Sequence, residues 1–349
     1  MPRILLLALL LPPLAAAQDL RTGEEITVER ILIDARVTDY SGNPITDLTV
    51  DDFEVRIGGR RAVLESVEWV PDTAEARALA ELDSGEAPPE EVRAPARPAG
   101  RLFVYFIQTD FGRVSSRVRG YMHFLHYAEQ MIERLEPGDR VAVFSFDSHL
   151  KFRLDFSDDR PAIIHAIRQA MLIDDPPPPP IVPNPALSRR LDREEMKRCA
   201  TSDQALILIG NALRPIPGPK SMILLGWGLG ELAGGAVVMN RKYPIARRAL
   251  EQARVSVFAL DTTDADYHDL EFGLQKAADD TGGFYAKTHI FPRIAIERLQ
   301  RTLAGHYELE VRRPPGLRLG THTIDVRVRR RGTHVMARSS FMDRPAGGR

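Results

Sequence analysis

Leu102-Phe103-Val104-Tyr105-Phe106-Ile107 is an unbroken apolar run of strand length. Such a run reads as a strand buried on both faces, which a parallel sheet covered by helices requires. Outward from it, Val114, Val118, Tyr121, Met122, Leu125, Ala128, Ile132 and Leu135 recur at helical spacing until Pro137-Gly138-Asp139 stops the helix. Residues 140–146 form a second strand, and Leu150, Phe152, Leu154 and Phe156 alternate as a strand near a sheet edge. Helices are predicted over 158–171, 202–213, 245–253, 270–280 and 294–303, with strands over 221–225 and 255–260 and a short one after Gly282-Gly283. This alternation predicts an α/β fold over residues 101–305, a doubly wound, mostly parallel sheet with helices on both faces.

The flanking segments differ. Residues 26–70 are β in character, with a turn at Ser41-Gly42-Asn43-Pro44 and a hairpin closed by Gly58-Gly59. Residues 306–343 return to β character over 307–311, 321–328 and 334–341. Neither segment is large, so the N-terminal (18–70) and C-terminal (306–343) parts are expected to pack together as a smaller β-sandwich-like unit. Between them, 71–100 is rich in Ala, Pro, Glu and Asp and reads as a linker. Residues 173–200 read as an inserted loop, because the five prolines Pro176 to Pro180 fit neither helix nor central strand.

The first residues carry an address. One positive charge at Arg3, an apolar run from Ile4 to Leu14 and the small residues Ala15-Ala16-Ala17 make a signal peptide over 1–17, cleaved after Ala17. The run is shorter than the roughly 20 apolar residues of a membrane span, and no later segment offers one. An extracytoplasmic location, periplasmic or secreted, follows as an expectation. The single cysteine, Cys199, leaves no internal disulfide in such a compartment, so a hydrophobic fraction of 44% must supply the stabilising core. A net charge of −1 gives no bulk attraction to nucleic acid or to an anionic membrane surface.

In an open parallel sheet, ligands bind beyond the carboxyl ends of the strands. Three loops lie there: Gln108-Thr109-Asp110-Phe111-Gly112 with Ser115 and Ser116 beyond it, Gly226-Trp227-Gly228-Leu229-Gly230-Glu231, and Asp261 to Asp269. Together with Val37-Thr38-Asp39, Asp51-Asp52-Phe53-Glu54-Val55, Pro137-Gly138-Asp139-Arg140-Val141-Ala142-Val143, Phe258-Ala259-Leu260-Asp261 and Asp280-Thr281-Gly282-Gly283, this order of elements resembles a von Willebrand factor type A domain. It resembles more closely still a group of exported bacterial proteins of that type, over nearly the whole chain after residue 17.

The resemblance implies a binding module in which an Asp-x-Ser-x-Ser strand end, a later Thr and an Asp after the fourth strand hold a divalent cation, usually Mg²⁺, with one position open for a partner's carboxylate. This sequence departs from that pattern. Gln108-x-Asp110-x-Gly112 stands at the first loop, with Ser115 and Ser116 late in it, and counting from Asp110 instead puts Gly112 and Val114 at the serine positions. Thr201 or Ser202 would supply the later hydroxyl, and Trp227 stands where the fourth-strand Asp belongs. The expectation is therefore a non-catalytic protein-binding or scaffold module with no metal ligands of its own. Its partner-binding face comprises Gln108, Asp110, Ser115, Ser116, Thr201, Trp227 and Asp261, with Trp227 either an exposed anchor or a residue under a neighbouring loop.

Two other readings stay open. One is a cation-dependent adhesion module using Asp110 and Thr201. The other is a hydrolase built on the acidic loop Asp261, Asp264, Asp266 and Asp269 with His268. That loop lacks the spacing of a helix-loop-helix calcium site. Phosphate loops, nucleophile elbows and His-Glu-x-x-His helices are absent from the sequence.

Overall fold

The computed structural model describes residues 30–77, 100–109, 112, 114–172, 174–180 and 186–343. The expected signal peptide, most of the 71–100 linker and Asp110 lie outside the described residues. The strands are β1 Arg30–Thr38, β2 Phe53–Ile57, β3 Arg60–Arg61, β4 Val63–Pro71, β5 Leu102–Gln108, β6 Arg140–Phe146, β7 Leu150–Ser157 and β8 Lys220–Gly226. They continue as β9 Glu231–Ala233, β10 Ala236–Val238, β11 Val255–Asp261, β12 Tyr285–Lys287, β13 Gly305–Arg312, β14 Gly320–Val328, β15 His334–Ala337 and β16 Ser340–Asp343. The helices are α1 Ser115–Glu133, α2 Arg160–Gln169, α3 Arg193–Lys197, α4 Ser202–Leu213, α5 Tyr243–Gln252, α6 Glu271–Thr281 and α7 Pro292–Thr302.

The central six-stranded sheet runs β7-β6-β5-β8-β11-β12, with every pairing parallel except β6 to β7. Counted in chain order within this sheet, that is 3-2-1-4-5-6, the doubly wound, Rossmann-like order of type A domains, and the topological switch falls between β5 and β8. Side chains of β5 explain why its run had to be unbroken. Val104 and Phe106 enter the core under α4 and α5, while Phe103, Tyr105 and Ile107 enter the core under α1 and α7.

The expected sandwich is present. One sheet runs β15-β1-β13-β4 and the other β16-β14-β2-β3, so each mixes strands from both ends of the chain. Their shared core centres on Tyr307, which is fully buried and meets Phe53 and Trp69 edge-on at ring separations of 5.3 and 5.1 Å. Its hydroxyl donates to the Ile45 carbonyl at 2.8 Å and accepts from the Leu48 amide at 3.0 Å, which pins the loop between β1 and β2.

Two elements differ from the sequence reading. The 173–200 insertion contains the short helix α3, started by Asp192, whose carboxylate accepts from the Glu195 amide at 2.8 Å. The insertion also covers β7: the buried Asp155 carboxylate accepts from the Leu187 and Ser188 amides, so this edge strand is shielded. After Gly230, where no element was expected, β9 and β10 form a hairpin turned by Gly234-Gly235.

Sandwich and α/β unit meet across a buried ionic seam. Arg254, the only described non-glycine residue with positive φ, at 54°, projects its guanidinium between Asp34 at 2.5 Å and Glu308 at 2.7 Å. His306, fully buried in β13, bonds Asp72 at 2.8 Å. Burial works against its charge, but the carboxylates of Asp72, Glu308 and Asp34 outweigh that and push its pKa up to about 9. Arg36 bonds Ser256 at 3.0 Å, and Ser340 donates to Glu251 at 2.6 Å.

Removing Arg254 would take from Asp34 and Glu308 the guanidinium that lies closest to both, so Arg254→Ala is expected to cost about 2–3 kcal/mol in urea unfolding. His306 has a folded pKa above its unfolded value. Its contribution is therefore fully present below pH 6.5 and lost as pH rises through about 9. Burial depresses Lys220 to about 7, which adds stability with the opposite sign above neutrality. The stability difference between wild type and His306→Asn isolates the histidine, and it should shrink steadily from pH 7 to 9.5.

Candidate functional site

The carboxyl ends of β5, β8 and β11 carry Gln108, Gly226 and Asp261. Parallel strands at a switch point send their following connections to opposite faces, so the backbone parts between β5 and β8. The Gln108 amide spans that gap. Its Oε1 accepts from the Trp227 amide at 3.1 Å and the Gly228 amide at 3.3 Å. Its Nε2 donates to the Gly228 carbonyl at 2.9 Å and to Ser202 Oγ at 3.0 Å. These partners fix the amide's orientation, because a flip would set two donors against two donors. Gly226 permits the approach: a Cβ there would stand 2.3 Å from Gln108 Oε1.

The neighbouring loops are tied in turn. The Thr262 amide donates to the Gly226 carbonyl at 3.0 Å, and the Asp264 amide to the Ser116 carbonyl at 3.1 Å. Helix α1 packs so closely here that a Cβ on Gly120 would fall 1.7 Å from the Thr262 carbonyl oxygen. On the other side of Gln108, the Thr109 amide donates to the Phe146 carbonyl at 2.8 Å, where Lys151 and Asp147 form a buried pair at 2.6 Å.

The expected face residues are distributed as follows. Gln108 is buried at the centre. Of the two later hydroxyls, Ser202 meets Gln108, whereas Thr201 caps α4 by accepting from the Gln204 amide at 3.3 Å. Ser115 is exposed and opens α1, and Ser116 is half-buried and engages the Asp264 loop through its backbone. Trp227 is half-buried, with the Arg117 guanidinium 3.8 Å over its ring. Asp110 lies outside the described residues. Sequence reasoning passed over Asp203, buried in the first turn of α4, with Oδ1 unpartnered among the described residues and its carboxyl pushed up by burial.

Asp261 is buried and accepts from Thr263 N at 3.0 Å, His268 Nε2 at 2.7 Å and Tyr285 OH at 2.8 Å. Burial would raise its pKa, but these hydrogen bonds outweigh burial and hold it below the usual carboxylate range. Asp264 pairs with Arg119 at 2.5 Å, and Asp266 meets His289 at 3.1 Å. Each acid of the loop thus points to a different partner.

Three of the described positions that the type A pattern would use as ligands are otherwise engaged or lack a side-chain oxygen. Gln108 Oε1 already accepts two amides, Thr201 is engaged as a cap, and Trp227 offers no oxygen. Elsewhere, Asp261, His268 and Glu271 place ligand atoms within 4.8 Å of one another, as do Asp34, His306 and Glu308. Each group already holds a cation of the protein: Lys287 lies 2.7 Å from Glu271, and Arg254 bridges Asp34 and Glu308.

Glu in place of Gln108 keeps the acceptor but loses the donor to Gly228 whenever it is ionised. Gln108→Glu should therefore unfold more readily as pH rises through its carboxyl pKa, by about 1–3 kcal/mol, while the wild type lacks that transition. Amide hydrogen exchange at Trp227 and Gly228 should quicken in the variant above that pH.

No protein-family model matches the chain, and no curated protein matches it. Solved structures do. A von Willebrand factor type A protein from Catenulispora acidiphila is 11% identical, covering 70% of this chain and 66% of that one, with a TM-score of 0.40. An aerotolerance-related membrane protein from Bacteroides fragilis, bearing multiple mutations to serines, is 11% identical over 58% of this chain and 98% of its own, at a TM-score of 0.38. Proximal thread matrix protein 1 from the mussel byssus, with zinc in its MIDAS motif, is 14% identical over 62% of this chain, at 0.38, and this chain spans 49% of its length. Similarity at this level says nothing of function, and the type A arrangement of this chain rests on its own strand order and pairing.

Proposed function

We propose that this chain is an exported, non-catalytic protein-binding or scaffold protein whose strand-end face engages a protein partner without a resident metal. The observation that carries this reading is Gln108. At the position where a hard cation would gather oxygen atoms from three loops, one amide gathers the same loops through four hydrogen bonds. A neutral amide holds them in one arrangement with no charge to satisfy, so the face is preformed for a partner that need not offer a carboxylate.

The surroundings support a protein partner. The connections after β8 and β11 present Leu232, Val238, Tyr267 and Phe272, each more than half exposed. Apolar and aromatic side chains on loops held by a rigid sheet suit recognition of another protein surface. A role in hydrolysis has less support, since the acids of the Asp261–Asp269 loop are spent on separate partners. Cys199 is buried, and burial pushes its thiol up to about 11, far from a reactive thiolate. Among the described residues no helix is long and apolar enough to cross a membrane.

The test is calorimetric titration of residues 18–349 with Mg²⁺ and Mn²⁺, beside an Asp110→Ala variant. The expected outcome is no saturable heat in either protein. Single-site binding lost in Asp110→Ala would establish the cation-dependent adhesion module instead. A generic ester and phosphoester panel should show no turnover, whereas activity abolished by Asp264→Ala or Asp266→Ala would establish the hydrolase. N-terminal sequencing of protein recovered outside the cytoplasm should begin at Gln18.

A further inference from the structure

A cavity of about 220 Å³ opens where the sandwich meets the amino ends of the sheet strands, beside the ionic seam. Arg36 of β1, Asp72 and Arg77 after β4, Arg101 before β5, Ser221 of β8 and His306 of β13 line it. The volume lies below the roughly 300–1,000 Å³ usual for small-molecule sites and suits a small ion with a few waters.

The charges on this lining do not balance. Asp72 is its one described carboxylate, and His306 Nδ1 already bonds that carboxylate at 2.8 Å. Arg101 is matched by Asp139, through Nε at 3.1 Å and Nη2 at 2.5 Å. Arg77 is half exposed and comes no nearer to Glu136 than 3.9 Å. Arg36 is only 3% exposed and forms no ion pair among the described residues. Its Nη1 donates to Ser256 Oγ at 3.0 Å, while its Nε is buried with no partner among the described residues. Burial pushes its pKa below the ordinary guanidinium value, and Asp72 and Asp34 oppose that without pairing with it.

A buried guanidinium without a counter-charge is costly. Water satisfies an N–H but leaves the charge unmatched, so the group that completes this site is an anion. The free groups are N–H and O–H donors, which calls for a ligand made of acceptors. Ser221 stands in register beside Ser256, so the sheet offers a second hydroxyl next to the one that Arg36 bonds.

We propose that this cavity binds one small oxyanion, phosphate or sulfate, between the guanidiniums of Arg36 and Arg77, with the Ser221 hydroxyl donating to it. The ion ties β1 of the sandwich to β8 of the sheet and so extends the seam that Arg254 begins. This site is independent of the strand-end reading and stands or falls by itself.

Calorimetric titration of the full chain with inorganic phosphate and, separately, with sodium sulfate tests the assignment, at an ionic strength fixed with sodium chloride. One saturable site is expected, and the ion that binds more tightly is the one the cavity is built for. Arg77→Gln should weaken binding about tenfold, as loss of a charge-assisted hydrogen bond predicts. Arg36→Met, which keeps the stem and removes the guanidinium, should abolish it while thermal unfolding shows the variant folded; should it not fold, Arg77→Gln decides. Arg61→Gln, an exposed arginine on β3 at the edge of the other sandwich sheet, should leave affinity unchanged. The ion should also raise the unfolding temperature of the wild type and not that of Arg36→Met. No saturable heat with either ion would leave the cavity to water and overturn the proposal. Affinity unchanged in Arg36→Met or in Arg77→Gln, or lost equally in Arg61→Gln, would overturn it as well.

Discussion

In a doubly wound sheet the connections leaving the strand ends diverge where the strand order reverses, and in this chain that place lies between the paired strands β5 and β8. Something has to close the gap between loops that diverge there. The Gln108 amide does so, offering acceptor and donor at once to backbone groups that face each other in opposite senses. A carboxylate could satisfy only the donors and would need a cation to reconcile it with the Gly228 carbonyl. Glycine at 226 and the close seating of α1 on the Thr262 loop follow from the same tightening. The geometry of the face thus descends from one side chain that is both polar and uncharged.

The sandwich is joined to this sheet by charge. Arg254 adopts a left-handed backbone conformation, uncommon outside glycine, and with it sends its guanidinium out of the turn before β11 into the β1–β13 pair. Arg36 returns the contact, reaching from β1 to Ser256 on β11. Buried ion pairs contribute little net stability over apolar packing, but they tolerate few alternative alignments. The seam therefore fixes how the β unit sits beneath the sheet.

Much of the architecture was legible in the sequence because burial on both faces demands unbroken apolar runs, as in 102–107 and 255–260, and because helical spacing persists from Val114 to Leu135. The pairing of the chain's two ends followed from neither being large enough alone. What escaped reading depends on contacts distant in sequence. His306 and Arg254 look like ordinary solvated charges until β13 and β11 are set beside β1 and Asp72. The β9–β10 hairpin is short and exposed, so it leaves only a weak alternation around Gly234-Gly235. Gln108 was readable as a departure from aspartate, but the backbone groups it bonds were not. Thr201 and Ser202 were equivalent in sequence, and the cap at Thr201 separates their roles.

Central to the proposed function is that the Gln108 amide, and not a bound cation, holds the strand-end loops together. Crystals of residues 18–349 grown with Mn²⁺ and measured for anomalous scattering would test it directly. The account predicts no anomalous peak within coordinating distance of Gln108, Ser202 or Asp261, and the amide bridging to Gly228 and Ser202. A peak held by Asp110 and Ser202, with Gln108 swung away from Gly228, would contradict it.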